Sequence, residues 1–177
     1  TPLRGEDLIG LAADGHRWGI PLPRRARRTA VADLVASVHA ESTAHAPISR
    51  LSGGEQQRLR VAQALAGNPA LLLCDEPLLS LDLAHQRLIC DLVDQARRDA
   101  ARGVLFVTHD INPLLGAVDR VLYLAGGRFR IGTPDQVLRT EVLTELYGSP
   151  VEVIRSRDRI LAAGVPDHPH HTTDPEA

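Results

Sequence analysis

Two apolar runs in this chain end in groups able to do chemistry. "LLLCDEP" finishes on Asp75 and Glu76, and "GVLFVTHD" carries His109 next to its end. Paired carboxylates at a strand's end suit a divalent cation and a general base for water, the combination used by phosphate-transfer sites. A histidine in that place could hold a phosphate oxygen or polarise water. Each also has an ordinary explanation. Asp75 and Glu76 can be a solvated strand end, His109 a satisfied surface imidazole, and Asp82 in "LSLD" a helix cap.

A third stretch, "LSGGEQQRLRVAQAL" from Leu51 to Leu65, joins a serine, two glycines and an acid to a helical pattern. Ser52 and Glu55 have the spacing of a capping box, in which the serine caps the helix and the acid three residues on reaches back. Capping alone does not call for two glycines, since each costs about 1 kcal/mol relative to alanine inside a helix. Ser52, Gly53, Gly54 and Glu55 leave backbone N–H groups uncovered at the positive end of a helix. That is a ready anion site with room for a phosphate to come close.

The elements that must carry these groups follow from periodicity. A short helix is expected over Glu6 to Ala13, and a loop over "DGHRWGIPLPRR". "RRARRTAVADLVASVHA" has Ala30, Leu34 and Val38 on one helical face, with Arg24, Arg25, Arg27 and Arg28 crowding its start. Those arginines suit either a solvated face or contact with an acidic partner or lipid head groups. "PALLLCDEP" reads as a strand buried on both faces, followed by a helix over Ala84 to Arg102. "GVLFVTHD" reads as a second buried strand, and Ile111 to Val118 as a short helix. "RVLYLAGGRFRIG" is a hairpin turning at Gly126-Gly127. "TPDQVL" opens a helix with Thr133 as cap and Pro134 at the first helical position. "TEVLTELYG" is a further helix, and "PVEVIRSRDRILAAG" alternates as a last hairpin. The polar, Pro-rich tail "PDHPHHTTDPEA" reads as disordered. Strands alternating with helices give an α/β domain with a mainly parallel sheet, whose ligands sit off the carboxyl ends of the strands. Asp75, Glu76 and His109 lie there.

Composition bounds the partners. The chain has 177 residues, 44% hydrophobic and 24% charged, with a net charge of −2. That length supports one globular domain with a real core, and the charge balance shows no nucleic-acid footprint. No apolar run approaches the roughly 20 residues that span a membrane. Cys74 and Cys90 lie in apolar surroundings without metal-ligand spacing, which fits buried free thiols. All 20 basic residues are arginine, so any mechanism that needs a lysine is closed to this chain acting alone.

In this order and at these spacings, the pieces resemble the nucleotide-binding subunit of an ABC transporter. "LSGGEQQRLRVAQALAGNP" looks like the family's signature motif and helix, with Glu55 where the common form has glutamine. "LLLCDEP" is similar to its Walker B strand, "LSLD" to its D-loop and "VTHD" to its switch-histidine loop. "GTPDQVL" also fits. "EVLTELYGSPVEVIRSRDRILAAG" resembles the carboxyl-terminal extension of the zinc and manganese importers. A histidine-bearing tail is familiar there. His168, His170 and His171, with Asp167 and Asp174, could bind Zn²⁺, or be incidental in a disordered tail. The chain departs from the family in lacking G-x-x-x-x-G-K-[ST], the loop that cradles phosphates. It also lacks the glutamine-bearing loop that senses the membrane subunit. The resemblance therefore implies a P-loop NTPase-like three-layer α/β sheet with an α-helical signature subdomain, first strands and P-loop missing. It makes the chain a fragment of such a subunit.

The implied organisation is a helical subdomain with the signature over 1–66. The remaining ATPase core follows over 67–150, then a hairpin extension over 151–165 and the tail over 166–177. The implied ligands are ATP and Mg²⁺. Ser52, Gly53 and Gly54, with Glu55 beside them, would grip the γ-phosphate held by an opposing subunit. Asp75 would anchor Mg²⁺ through water, Glu76 would activate water, His109 would stabilise the γ-phosphate, and Asp82 would link the two sites. The implied partners are a second ATP-binding subunit arranged head to tail, transmembrane permease subunits and, indirectly, a metal-binding substrate protein, with no nucleic acid. The implied place is the cytoplasmic face of the cell membrane. The expected function is to power uptake of zinc or manganese, the chain alone being inactive. Two other readings stay open. One is a non-transport relative serving chromosome maintenance or translation, against which stand the absence of sustained heptads and the single motif set. The other is a non-catalytic partner of an intact subunit.

Overall fold

The computed structural model describes residues 2–15, 24–156 and 159–164. The tail histidines His168, His170 and His171 lie outside these residues. The chain divides into two compact units, Thr1–Pro113 and Leu114–Ala177.

The first unit opens with three helices, α1 (Gly5–Gly15), α2 (Arg24–Ser37) and α3 (Gly53–Leu65), which pack on one another. Their apolar faces supply the buried residues Ile9, Ala13, Val35, Leu59, Val61 and Ala62, joined by Val38 in the turn after α2. Leu59 is wholly buried, and its side chain closes on Gly5, where an added Cβ would come within 2.6 Å of Leu59 Cδ1. Burying such a leucine contributes roughly 1.5–3 kcal/mol, so Gly5 and Leu59 together fix α1 on α3. Arg27 is drawn into this packing. Its guanidinium lies over Gly10, and its Nε donates to Asp14 at 2.7 Å. One member of the arginine cluster thus serves the fold itself, while Arg25 and Arg28 are exposed.

The rest of the unit is a β–α–β segment. Strand β1 (Leu71–Asp75) pairs in parallel with β2 (Gly103–Val107), joined by α4 (Leu83–Asp99). Leu72 on β1 and Ile89, Cys90, Leu92 and Val93 on α4 are buried. The expectation that β1 is buried on both faces fails. Leu71, Leu73, Leu105 and Val107 share the opposite face and are exposed, because no described element covers that side of the pair. Helix α4 also stops short of Arg102. Ala101 takes a positive φ of 48°, and the Arg102 N–H turns back to the Arg97 carbonyl. In place of a helix over Ile111 to Val118 there is a single 3-10 turn, Asn112–Leu114.

The second unit holds two antiparallel hairpins. Strands β3 (Val121–Ala125) and β4 (Arg128–Gly132) turn at Gly126 and Gly127, both at positive φ, as the dipeptide predicts. Helix α5 (Pro134–Val137) begins with the expected Thr133 cap and Pro134 at its first position. Helix α6 (Thr140–Tyr147) ends on Gly148 in the left-handed conformation, and β5 (Val151–Ser156) and β6 (Arg159–Gly164) form the last hairpin. The core of this unit is Leu143, Leu146 and Val151, packed with Tyr123, Ala125, Val142 and Val153. The α/β class expected from the sequence is present, although β1–β2 is the parallel pair among the described strands and the other two pairs are antiparallel. Among the described residues no helix is long and apolar enough to cross a membrane.

Candidate functional site

The groups singled out by sequence fall into two clusters. The first is at the carboxyl end of the parallel pair. Asp75 closes β1 opposite Val107 and is exposed. Glu76 continues the ladder by one bond, its N–H reaching the Val107 carbonyl at 2.9 Å, and then turns with φ at 44°. A non-glycine residue at positive φ is sparsely populated and is held there only by its surroundings. Here the ladder bond holds the backbone, and His109 holds the side chain. His109 Nδ1 lies 2.9 Å from Glu76 Oε2, so the ring N–H donates to the carboxylate. Thr108 and Asp110 brace the loop through reciprocal bonds, the Thr108 hydroxyl donating to the Asp110 carbonyl and accepting the Asp110 N–H. The carboxylate of Glu76 is thereby aimed beyond the strand ends, where a water could be activated. Among the described residues no three His, Cys, Asp or Glu side chains gather as a closed metal site. Asp75 offers one exposed carboxylate, a ligand of the kind Mg²⁺ accepts, since that ion keeps several waters and takes phosphate oxygens alongside one or two carboxylates.

The second cluster is at the mouth of α3. Ser52 caps the helix as predicted, its Oγ accepting the Glu55 N–H, while the Glu55 carboxylate accepts the Ser52 N–H at 2.7 Å and its hydroxyl at 2.9 Å. These bonds, the backbone one first, hold the Glu55 carboxyl below its ordinary range. The two glycines behave differently. Gly54 is buried, and a Cβ there would meet His85 Cδ2 at 2.3 Å and Nε2 at 2.8 Å. Gly53 is exposed, and a Cβ there would meet nothing nearer than Leu81 Cδ2 at 3.9 Å. Neither has positive φ. Internal packing therefore accounts for Gly54 and leaves Gly53 without a structural reason. The first-turn amides of Gly53 and Gly54 have no helical carbonyl to bond, and the open side of Gly53 lets an anion reach them.

Asp82 lies beside this cluster. It caps α4, accepting the His85 N–H at 2.9 Å, and both its carboxylate oxygens are 2.9 Å from His85 Nδ1. Those bonds, again the backbone one first, lower its carboxyl. Two glutamines brace the loops ahead of the caps at identical offsets. Gln56 Nε2 donates to the Leu51 carbonyl at 3.0 Å and to Ile48 at 3.3 Å. Gln86 Nε2 does the same to Leu81 at 3.2 Å and Leu78 at 3.5 Å. Sequence reasoning missed His85, Gln56 and Gln86. The signal was present, since each glutamine stands four residues after its cap and His85 repeats the Ser52–Glu55 spacing from Asp82. No hydrogen bond or ion pair joins the two clusters among the described residues. Cys74 and Cys90 are free, as expected, and burial pushes their thiols up to about 11 and about 12, away from the nucleophilic thiolate form.

Comparison with known proteins decides what this arrangement belongs to. The family model described as "ABC transporter" matches residues 9–79. Residues 9–79 belong to the ABC transporter family. Among curated ABC proteins, it is 41% identical over 125 residues to the hemin import ATP-binding protein HmuV of Streptomyces coelicolor, covering 70% of this chain and 44% of that protein. It is 35% identical over 151 residues to the zinc import ATP-binding protein ZnuC of Brucella melitensis, covering 84% and 46%. The chain spans about half the length of the curated relatives it matches. Among solved ABC structures, the dimeric cassette MJ0796 bound to ADP and phosphate superposes with a TM-score of 0.64 at 28% identity, over 74% of this chain and 56% of that one. A transporter described as of metal-chelate type, in an inward-facing conformation, shares the fold with a TM-score of 0.76 at 24% identity, over 96% and 68%.

Proposed function

We infer that this chain supplies the signature-bearing part of an ATP-hydrolysing subunit that powers uptake of a metal ion or metal chelate. The observation that carries the reading is the bare first turn at Gly53, exposed and open where the fold itself would accept a side chain. In this reading the Gly53 and Gly54 amides, with the Ser52 hydroxyl, receive the terminal phosphate of a nucleotide whose other contacts come from an opposing subunit. The Ser52 proton, held by Glu55 in this structure, would turn to the phosphate as it docks. Glu76 would act as the base for the attacking water in the site of its own subunit, with His109 orienting the carboxylate through Nδ1–H and, with a second proton on Nε2, donating to the γ-phosphate. Asp75 would hold Mg²⁺ through water, and the ion would offset phosphate charge. Asp82 would carry information between the two sites. Permease subunits and a second ATP-binding subunit are the partners in this reading, placing the assembly on the inner face of the membrane. Curated relatives named for zinc and for hemin import support a metal-bearing cargo.

The chain contains no lysine and hence no phosphate loop of the G-x-x-x-x-G-K-[ST] kind, so it is expected to show no ATP turnover alone. The test is complementation. An intact ABC ATPase subunit, inactivated by replacing its own signature serine, is assayed for ATP turnover with and without this chain. Turnover is expected to return with the chain and to vanish with Ser52→Arg. A stable complex between the two that shows no turnover refutes the reading. Turnover by the chain alone that is lost on Glu76→Gln refutes the half-site assignment.

A further inference from the structure

Gly54 and Asp82 are 28 positions apart, on two turns that open different helices, yet one side chain touches both. His85 donates from Nδ1 to the Asp82 carboxylate at 2.9 Å. The other side of the same ring, Cδ2, Nε2 and Cγ, supplies all three of the atoms nearest to where a Cβ at Gly54 would stand. The ring is therefore clamped. It cannot leave Gly54 without breaking its bond to Asp82, and Asp82 cannot rotate without dragging or releasing the ring. Helices α3 and α4 are in contact, but the described side-chain hydrogen bonds at their amino-terminal turns run within each helix or to the loop just before it, so the imidazole is what bridges the two turns. The glycine at 54 follows from this arrangement, since any Cβ would push the ring off its carboxylate. The charged groups facing the ring are Asp82 on its own helix and Glu55 on α3, with Arg58 a turn further along α3 acting on Glu55.

We propose that His85 is a positioning residue that ties the Asp82 turn to the phosphate-facing turn Ser52–Gly54, so that displacement of either is transmitted to the other. The proposal rests on the half-site reading for its consequence, although the mechanical link can be read without any nucleotide. It gives Asp82 a physical means of reporting to the signature turn of its own chain. A rotation of the carboxylate moves the ring, and the ring moves the backbone against which a phosphate would lie. A shift on the order of 1 Å in such a contact can cost about a hundredfold in rate.

The experiment uses the backbone amide resonance of Gly54 in the full chain. Asp82→Asn is introduced in three backgrounds, with His85, with His85→Phe and with His85→Ala. The phenylalanine keeps a ring on Gly54 but cannot bond Asp82, and it stands in should the alanine variant fail to fold. Asp82→Asn is expected to shift the Gly54 amide with His85 present and to leave it in place in the other two backgrounds. An equal shift in all three overturns the proposal, as does no shift with His85 present. A second arm repeats the complementation assay with His85→Phe. Turnover is expected to fall about tenfold or more in kcat with KM for ATP unchanged, and unchanged kcat overturns the proposal. If the wild-type chain restores no turnover, the half-site reading has failed, and the Gly54 resonance still decides whether His85 couples the two turns.

Discussion

Replacing Gly53 and Gly54 separately by alanine should produce opposite outcomes, although the two are adjacent and chemically identical. At Gly53 the new methyl would stand 3.9 Å from Leu81 Cδ2, an ordinary van der Waals distance, on an exposed helical residue without positive φ. Such a change removes freedom from the unfolded chain and stabilises by about 0.4–1 kcal/mol. At Gly54 the methyl would lie 2.3 Å from His85 Cδ2. The ring can yield only by giving up Asp82, and overpacking of this kind costs about 1–3 kcal/mol. For a chain of this size each kcal/mol moves the melting temperature by about 2–4 °C, so the variants should separate by at least about 3 °C, with the unmodified chain between them. In the complementation assay the order differs. Gly53→Ala, the more stable variant, should lose restored turnover because its methyl occupies the approach to the first-turn amides. A Gly53→Ala chain that melts as low as Gly54→Ala would show that the open side of Gly53 is not open. A Gly53→Ala chain that is more stable and fully functional would refute the claim that a phosphate docks there.

Two further outcomes follow from the same structure. Glu55 and Asp82 both have carboxyls lowered by bonds to their own helix starts. A lowered folded value means that their contribution is complete above the ordinary carboxylate range near 4 and is lost as pH falls through the folded value. Thermal melts from pH 7 down to pH 2 should show an acid limb that is shallower in Glu55→Gln and in Asp82→Asn, and an unchanged limb would contradict the assignment. On the parallel pair, Leu73 is 67% exposed and Leu72 4%. Leu73→Thr should change stability by less than about 1 kcal/mol and reduce binding of an apolar fluorescent dye, whereas Leu72→Thr should cost about 2 kcal/mol or more. Equal costs measured by denaturant unfolding would show that the face carrying Leu73 is covered in solution.

The sequence shows most clearly what depends on local pattern. The capping box at Ser52, the Pro134 start of α5 and the turn at Gly126-Gly127 are short-range features, and all appear where their residues predict, while α2 ends at Ser37, one residue before Val38 of its predicted face. The α/β pattern also placed Asp75, Glu76 and His109 at strand ends, but the bond from His109 to Glu76 was not legible in it. The failures have a common cause. A continuous apolar run such as Leu71–Cys74 states that the segment is greasy and does not state how many of its faces are met. Leu71 and Leu73 are exposed because burial depends on what else lies nearby. His85 was overlooked for a similar reason. Its partner Gly54 is far away in sequence, and a glycine gives no hint of what presses on it.

The paired glutamines have a consequence for how freely this chain can drift. Gln56 and Gln86 grip carbonyl oxygens, and a carbonyl is the same whatever side chain stands beside it. The two loops before the caps are therefore held by their backbone shape and not by the identity of their residues. Ser49, Arg50 and Leu79 are exposed there and can be exchanged without loosening either brace, whereas Ser80, at a φ of 63°, tolerates only residues that accept the left-handed conformation. Substitutions that would scramble an ordinary loop leave these two in place, and the surface they present can be rewritten to suit a new partner while the turns that follow stay where they are.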